Sequence, residues 1–303
     1  MTDAVLSEYH PFRSAQARNR YLSFYDSQFE SWPVASEKRT VRTTDGDTFV
    51  RVSGPEDAPA LVLLPASRAN SVCWISMIEH LSRSHRTYAV DAIYDVGRSV
   101  NHKPMKTTGD ACLWLDNLLD ALGIDGHVDL MGLSLGGCTA AEYVLHSPDR
   151  LRKAVWLAPA GVAQRISNGF IFRSLPCMVT PRAFDGFMRW IMSDAADSEG
   201  RSRELFEAAV ADVILSAKCY TMRPMPGGAP RALQDDELRG IEVPVLYVVG
   251  EHERVCPNPH DALARLKEVA PQIETHMIAS CGHDLFWMEP RAVSERVLEF
   301  LET

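Results

Sequence analysis

Apolar positions follow different rhythms in different parts of this chain. Aromatic residues recur at helical intervals through Tyr21, Phe24, Tyr25, Phe29 and Trp32 and stop at Pro33, which predicts a helix before that proline. "KRTVRTT" and "TFVRVSG" then form short alternating runs on either side of Asp45-Gly46, the pattern of a β-hairpin. Beyond residue 60 the alternation disappears. "ALVLLPA" (60–66), "RTYAVDAI" (86–93), "HVDLMGLS" (127–134) and "AVWLAPA" (154–160) are continuous apolar runs. Strands that are apolar on both faces belong to a sheet covered on both sides, usually a parallel one. Helical patterns lie between them in "SVCWISMIEHL", "GDACLWLDNLLDALG" and "GGCTAAEYVLHS", with Gly123 and Pro148 as stops. Strand and helix in turn are the signature of βαβ units with right-handed crossovers.

The rhythm breaks between about residues 161 and 240, where "AFDGFMRWIMSD" and "SRELFEAAVADVILSAK" read as helices and "RPMPGGAPRA" as a turn-rich link. It resumes with strand "VPVLYVVG", helix "DALARLKEVA", strand "ETHMIAS" and helix "RAVSERVLEFL". Residues 1–38 are therefore read as an N-terminal helical extension, 39–160 together with 241–303 as one α/β core, and 161–240 as a mostly helical insertion. No internal repeat or low-complexity tract interrupts this order.

Composition narrows the partners. The 303 residues suffice for a large core, and 46% apolar with 23% charged residues is the ordinary globular balance. A net charge of −9 without any block of Lys or Arg argues against nucleic acid. Seven scattered cysteines, none in C-x-x-C spacing, argue against a disulfide framework or zinc knuckle and for a reducing compartment. "MTDAVLSEYHPFRS" lacks an apolar signal region, and no run approaches the ~18 residues of a membrane span, so the expectation is a cytoplasmic protein.

The chemistry centres on Gly132-Leu133-Ser134-Leu135-Gly136, placed where a strand stops and a helix begins. A serine hydroxyl is a weak nucleophile unless a base takes its proton and a third group orients that base. It must also protrude, and a tight strand-to-helix turn achieves this only if residues two away carry almost no side chain. Gly132 and Gly136 meet that demand, and the N–H groups opening the helix favour negative charge beside Ser134.

With "GLSLGG" at that turn, "DAIYDVGRS" after an earlier strand, "VPVLYVVGEHE" and "ASCGHDLFWMEP", the chain resembles the α/β-hydrolase fold, and within it the carboxylesterase-like serine hydrolases, over about residues 40–303. The resemblance implies a mostly parallel twisted sheet with helices on both faces and the insertion as a cap. It also implies the order nucleophile, acid, histidine. Ser134 is then the nucleophile and His283, in "CGHD", the base. Glu253 in Gly250-Glu251-His252-Glu253 stands where relatives carry Asp, with Glu251 the other candidate; Asp284 is expected to point elsewhere. Relatives usually read His-Gly-x after the first parallel strand, whereas this chain reads Pro65-Ala66-Ser67. By position the oxyanion donors are the N–H groups of Leu135 and Ser67, with Ala66 expected to restrict the loop's dihedral angles.

Among the other histidines, His10, His80, His85, His102, His146 and His276 read as surface or helix-end residues, His127 as structural, and His252 and His260 as nearer the site. "HERVC" is not H-E-x-x-H, so neither metal nor cofactor is expected. The insertion is apolar and Met-rich through Phe170, Ile171, Phe172, Leu175, Met178, Phe184, Phe187, Met188, Trp190 and Met192. Most of these are expected to fill the cap's own small core, and some to line a pocket for an apolar acyl or alkyl group. Arg165, Arg173, Arg182, Arg189 and Arg223 read as solvated surface.

The reading is a serine hydrolase of small-molecule carboxylic esters, working through Ser134, His283 and Glu253 with an acyl-enzyme, its activity rising through one ionisation near 6–7. The same triad used for carbon–carbon or amide hydrolysis or acyl transfer, and a ligand-binding protein on this scaffold, are the alternatives. The N-terminal helix is read as packing on the domain, a homodimer contact being its other use.

Overall fold

A computed structural model describes residues 11–221 and 225–303, so the readings that fall on the first ten residues, His10 among them, and on Arg223 lie outside the described residues. The strands are β1 (Ser36–Arg42), β2 (Gly46–Ser53), β3 (Ala60–Leu64), β4 (Arg86–Val90), β5 (Val100–Asn101), β6 (Val128–Leu133), β7 (Leu151–Leu157), β8 (Val245–Gly250) and β9 (Glu274–Ile278). The first two form the hairpin read from Asp45-Gly46, with Arg42 opposite Asp47. β2 also runs antiparallel to β4 and carries the two-residue β5, too short to show a period. From β4 onward every neighbour is parallel, in the order β4-β3-β6-β7-β8-β9.

Doubly apolar strands explain this sheet's two cores. Leu61, Leu63, Met131, Leu133, Val155 and Leu157 belong to one apolar cluster. Their chain neighbours Val62, Leu64, Leu130, Ala154 and Trp156 belong to the other. Side chains alternate across a strand, so each strand feeds both faces, and each fully buried Val or Leu contributes ~1.5–3 kcal/mol. The run expected to continue to Ile93 stops at Val90, because Asp91 turns into a polar knot. Its carboxylate accepts from Tyr25 Oη (2.7 Å), Ser71 N (2.8 Å), Ser71 Oγ (2.7 Å) and Arg98 N (2.7 Å).

The helices are α1 (Ala15–Gln28), α2 (Ile78–Leu81), α3 (Thr108–Ala121) and α4 (Leu135–His146); then α5 (Asn168–Ser174), α6 (Ala183–Ile191), α7 (Ser193–Asp197), α8 (Gly200–Cys219) and α9 (Asp235–Arg239) between β7 and β8; then α10 (Pro259–Val269), α11 (Leu285–Met288) and α12 (Pro290–Glu302). "SVCWISMIEHL" is a 3₁₀ turn over Ser71–Ser76 followed by α2 rather than one helix. Val72, Trp74 and Ile75 lose side-chain freedom in an α-helix, and Asn70 Oδ1 accepts from the Val72 N–H at 3.0 Å. The N-terminal helix packs on α8: Tyr21 meets Tyr220 edge-on at 4.9 Å, and Arg13 Nε donates to the Tyr220 carbonyl at 2.7 Å.

Phe184, Met188, Met192 and Phe206 join the sheet's own apolar cluster instead of forming a separate core. His85, read as a surface residue, is buried beside Asp129, its Nε2 3.6 Å from the carboxylate. The turn before β4 folds it under the sheet, a consequence of strand order that no local pattern carries.

Candidate active site

Ser134 closes β6 and opens α4 with φ 54° and ψ −110°, a left-handed conformation costing ~1–3 kcal/mol that the surrounding contacts must hold. Its N–H donates to the Leu157 carbonyl at 2.9 Å, and its carbonyl accepts from Cys138 (3.1 Å) and Ala160 (3.0 Å). A Cβ on Gly132 would stand 2.1 Å from the Gly136 carbonyl oxygen, and one on Gly136 would stand 2.3 Å from that of Leu64. Both glycines are therefore demanded by space, as the G-x-S-x-G spacing predicts.

Ser134, His283 and Glu253 come together although 149 residues separate the serine from the histidine and 30 separate the acid from it. His283 Nε2 lies 2.9 Å from Ser134 Oγ, and its Nδ1 lies 2.8 Å from Glu253 Oε2. An ionised carboxylate only accepts, so Nδ1 carries the proton and Nε2 presents its lone pair to the hydroxyl. The second Glu253 oxygen accepts the N–H groups of Arg254 (2.8 Å) and Val255 (2.7 Å), which fixes the carboxylate's direction. Glu251 is exposed and turns away, accepting the Ser280 N–H at 2.9 Å. Asp284 also points elsewhere, onto Ala195.

Burial of the His283 ring disfavours its charged form, but the Glu253 charge and hydrogen bond, with Asp284 nearby, outweigh this and raise the imidazole above its ordinary value. Asp212, in the wall of the adjoining cavity, is pushed up to about 7 by its burial. Sequence reasoning passed over Asp212. Asn70 Nδ2 donates to it at 2.8 Å, a contact between residues far apart in sequence.

Ser67 lines the same cavity as Ser134, and Leu135 follows the nucleophile directly in the chain. The loop after β3 reaches the elbow through Leu64 and Pro65, whose carbonyls bound the space beside Gly136. Among the described residues, neither the Ser67 nor the Leu135 N–H is taken by another group. Ala66 is spared the restriction expected of it, since the left-handed residue of the loop is Arg68 (φ 56°), whose N–H is held by Asp95 Oδ2 at 2.8 Å.

A cavity of about 700 Å³ opens over Ser134 and His283. Phe170, Phe184, Phe187, Met188 and Met192 line it, with Ile171 and Met178 at its exposed rim. More of the insertion's apolar residues face this cavity than the sequence reading allotted, because they lie over the open ends of the strands. The Arg68 guanidinium lies over the Phe184 ring at 4.8 Å. Arg165, Arg173, Arg182 and Arg189 do not line the cavity; Arg189, for one, pairs with Asp185 and Glu207. Among the described residues no cluster of His, Cys, Asp or Glu could hold a metal ion, and no helix is long and apolar enough to cross a membrane.

Comparison with known proteins fits this geometry. Residues 61–296 match the Alpha/beta hydrolase family. The chain is 32% identical over 290 residues to Carboxylesterase YbfK of Bacillus subtilis (strain 168), covering 96% of each chain. It is 34% identical over 281 residues to the Uncharacterized carboxylesterase nap of the same organism, covering 93% of this chain and 92% of that one. The crystal structure of naproxen esterase (carboxylesterase NP) from Bacillus subtilis matches at a TM-score of 0.85 and 32% identity, covering 98% of this chain and 100% of that one.

Proposed function

This chain belongs to the alpha/beta hydrolase family and is a hydrolase of ester bonds; on that premise we propose that it works through a Ser134–His283–Glu253 triad and an acyl-enzyme, on carboxylic esters with an apolar acyl or alkyl part. The observation that carries the reading is the unbroken line of hydrogen bonds from hydroxyl to imidazole to carboxylate at the floor of an apolar cavity.

His283 Nε2 takes the Ser134 proton as Oγ attacks the ester carbonyl. Negative charge on the former carbonyl oxygen is stabilised by the N–H groups of Leu135 and Ser67 and by the N-terminus of α4, one such donor being worth about 3 kcal/mol. Glu253 keeps Nδ1 protonated and steadies the imidazolium that forms. The imidazolium then returns its proton to the leaving alkoxide, which departs as alcohol. Water, deprotonated by the same nitrogen, attacks the acyl-serine, and the carboxylic acid leaves with Ser134 restored. No residue of the reading needs a bound cofactor.

Ser134→Ala is expected to lower kcat on p-nitrophenyl esters by about 10⁵-fold or more and to abolish labelling by a fluorophosphonate probe. Turnover surviving at a hundredth of the wild-type rate would remove Ser134 from the mechanism.

A further inference from the structure

The loops carrying His283 and Glu253 are gripped from the insertion as well as from the sheet. Gly282, just before the histidine, donates its N–H to Asp194 Oδ2 at 2.7 Å. Asp284, just after it, accepts the Ala195 N–H on its own Oδ2 at 2.7 Å. Asp194 and Ala195 are adjacent on α7, so the two neighbours of the base are clasped reciprocally by one turn of one short helix. The packing leaves little slack: a Cβ on Gly282 would stand 3.3 Å from Asp194 Oδ2, and Asp284 and Ala195 are both fully buried. His252 Nδ1 stands 3.8 Å from the same Asp194 oxygen, which places this carboxylate beside the loop that leads to Glu253. Across that loop, Ser167 N donates to the Val255 carbonyl at 2.7 Å and Ser167 Oγ to that of Arg254 at 2.8 Å. Just before α7, Ile191 and Met192 face the cavity.

We propose that Asp194 is a positioning residue for the base, holding the His283 loop through the Gly282 N–H so that Nε2 meets Ser134 Oγ. The inference rests on the triad reading above and goes beyond it. It assigns part of the triad's geometry to the insertion, so that one continuous stretch touches both substrate and histidine loop. Asp194 needs an acceptor oxygen at one place, not a charge. Its side chain is 24% exposed, so its loss leaves no large void.

Three variants separate geometry from charge and from mere folding. Asp194→Asn keeps an acceptor oxygen at the same distance and is expected to retain kcat within about threefold of wild type. Asp194→Ala removes the acceptor and is expected to lower kcat and the rate of phosphonate labelling together by about tenfold or more, with KM changed less than about threefold. Asp194→Glu keeps the charge but sets the oxygen one methylene further out, and is expected to follow Ala. Thermal melts show which variants are folded, and if Ala is not, Asn against Glu still decides. A kcat for Asp194→Ala within twofold of wild type would overturn the proposal, as would Glu matching wild type while Asn fails. Either result, with Ser134→Ala dead, leaves the triad reading intact; an active Ser134→Ala would sink the triad reading instead.

Discussion

His283 sits between two opposed effects, and their balance decides how activity depends on pH. In the proposed mechanism the ring must be neutral to accept the serine proton, so activity is expected to rise as pH passes its pKa. Burial alone would lower that value; the Glu253 charge and hydrogen bond reverse the sign, so the rise is expected on the high side of an ordinary histidine. Glu253→Gln removes the charge and leaves the burial, so the acid limb of kcat/KM is expected to move to lower pH while kcat falls about 10²–10⁴-fold. Glu251→Gln should leave limb and rate within about twofold, since that side chain is exposed and held by Ser280. pH–rate profiles of the two variants beside wild type check this, and a limb that stays put in Glu253→Gln would exclude Glu253 as the partner. Burial pushes Asp212 up to about 7, so the shift between variants is the informative quantity. The motif pointed at Ser134 and His283 because few residue patterns suit those roles. Motif position favoured Glu253 over Glu251, both carboxylates and two residues apart, but which one turns to the imidazole is a matter of direction in space.

The turn from β6 into α4 is where spacing along the chain says most about structure. Its glycines answer to contact distances, so their substitution should behave unlike that of a glycine in open space. Gly136→Ala forces a methyl 2.3 Å from the Leu64 carbonyl oxygen, pressing the elbow against the loop that carries Ser67. A loss of about 2–4 kcal/mol in urea unfolding, with a matching fall in activity, is expected. Gly186, exposed within α6 and with nothing near its would-be Cβ, should gain about 0.5–1 kcal/mol on substitution by Ala. Equal effects at the two sites would mean that the elbow is not closely packed. Strands β3, β4, β6 and β7 were legible as doubly apolar runs, and β8 and β9 as strands where the strand–helix rhythm resumes. The 3₁₀ turn at Ser71–Ser76, the early end of β4 and the short β5 were not: the first is set by the Asn70 side chain, the second by the contacts of Asp91 with Tyr25, Ser71 and Arg98, and the third by pairing with β2.

Taken whole, the molecule sets an apolar wall from the insertion over Ser134 and His283, and the proposed function sets the acyl or alkyl part of the ester against it. Met188 lies in that wall and in the core cluster beneath it. Met188→Ala is expected to enlarge the cavity and to raise the ratio of kcat/KM for p-nitrophenyl octanoate over butyrate by about threefold or more, at a stability cost of about 2–3 kcal/mol. An unchanged ratio across the ester series, with the variant folded, would take this wall out of the binding pocket. Met192 of that wall lies two residues before Asp194, so substrate fit and the placement of His283 share one stretch of backbone.

Period, residue chemistry and short-range spacing were enough to read a parallel α/β sheet, an N-terminal helix and a helical insertion. They also read a serine forced outward at a glycine-flanked turn, since each follows from interactions within a few residues. Which carboxylate turns to the histidine, which apolar residues face the cavity, the burial of His85 and the grip of Asp194 on Gly282 depend on groups far apart along the chain. Those contacts have no period and no motif, because their distances exist only once the sheet has brought the strand ends together.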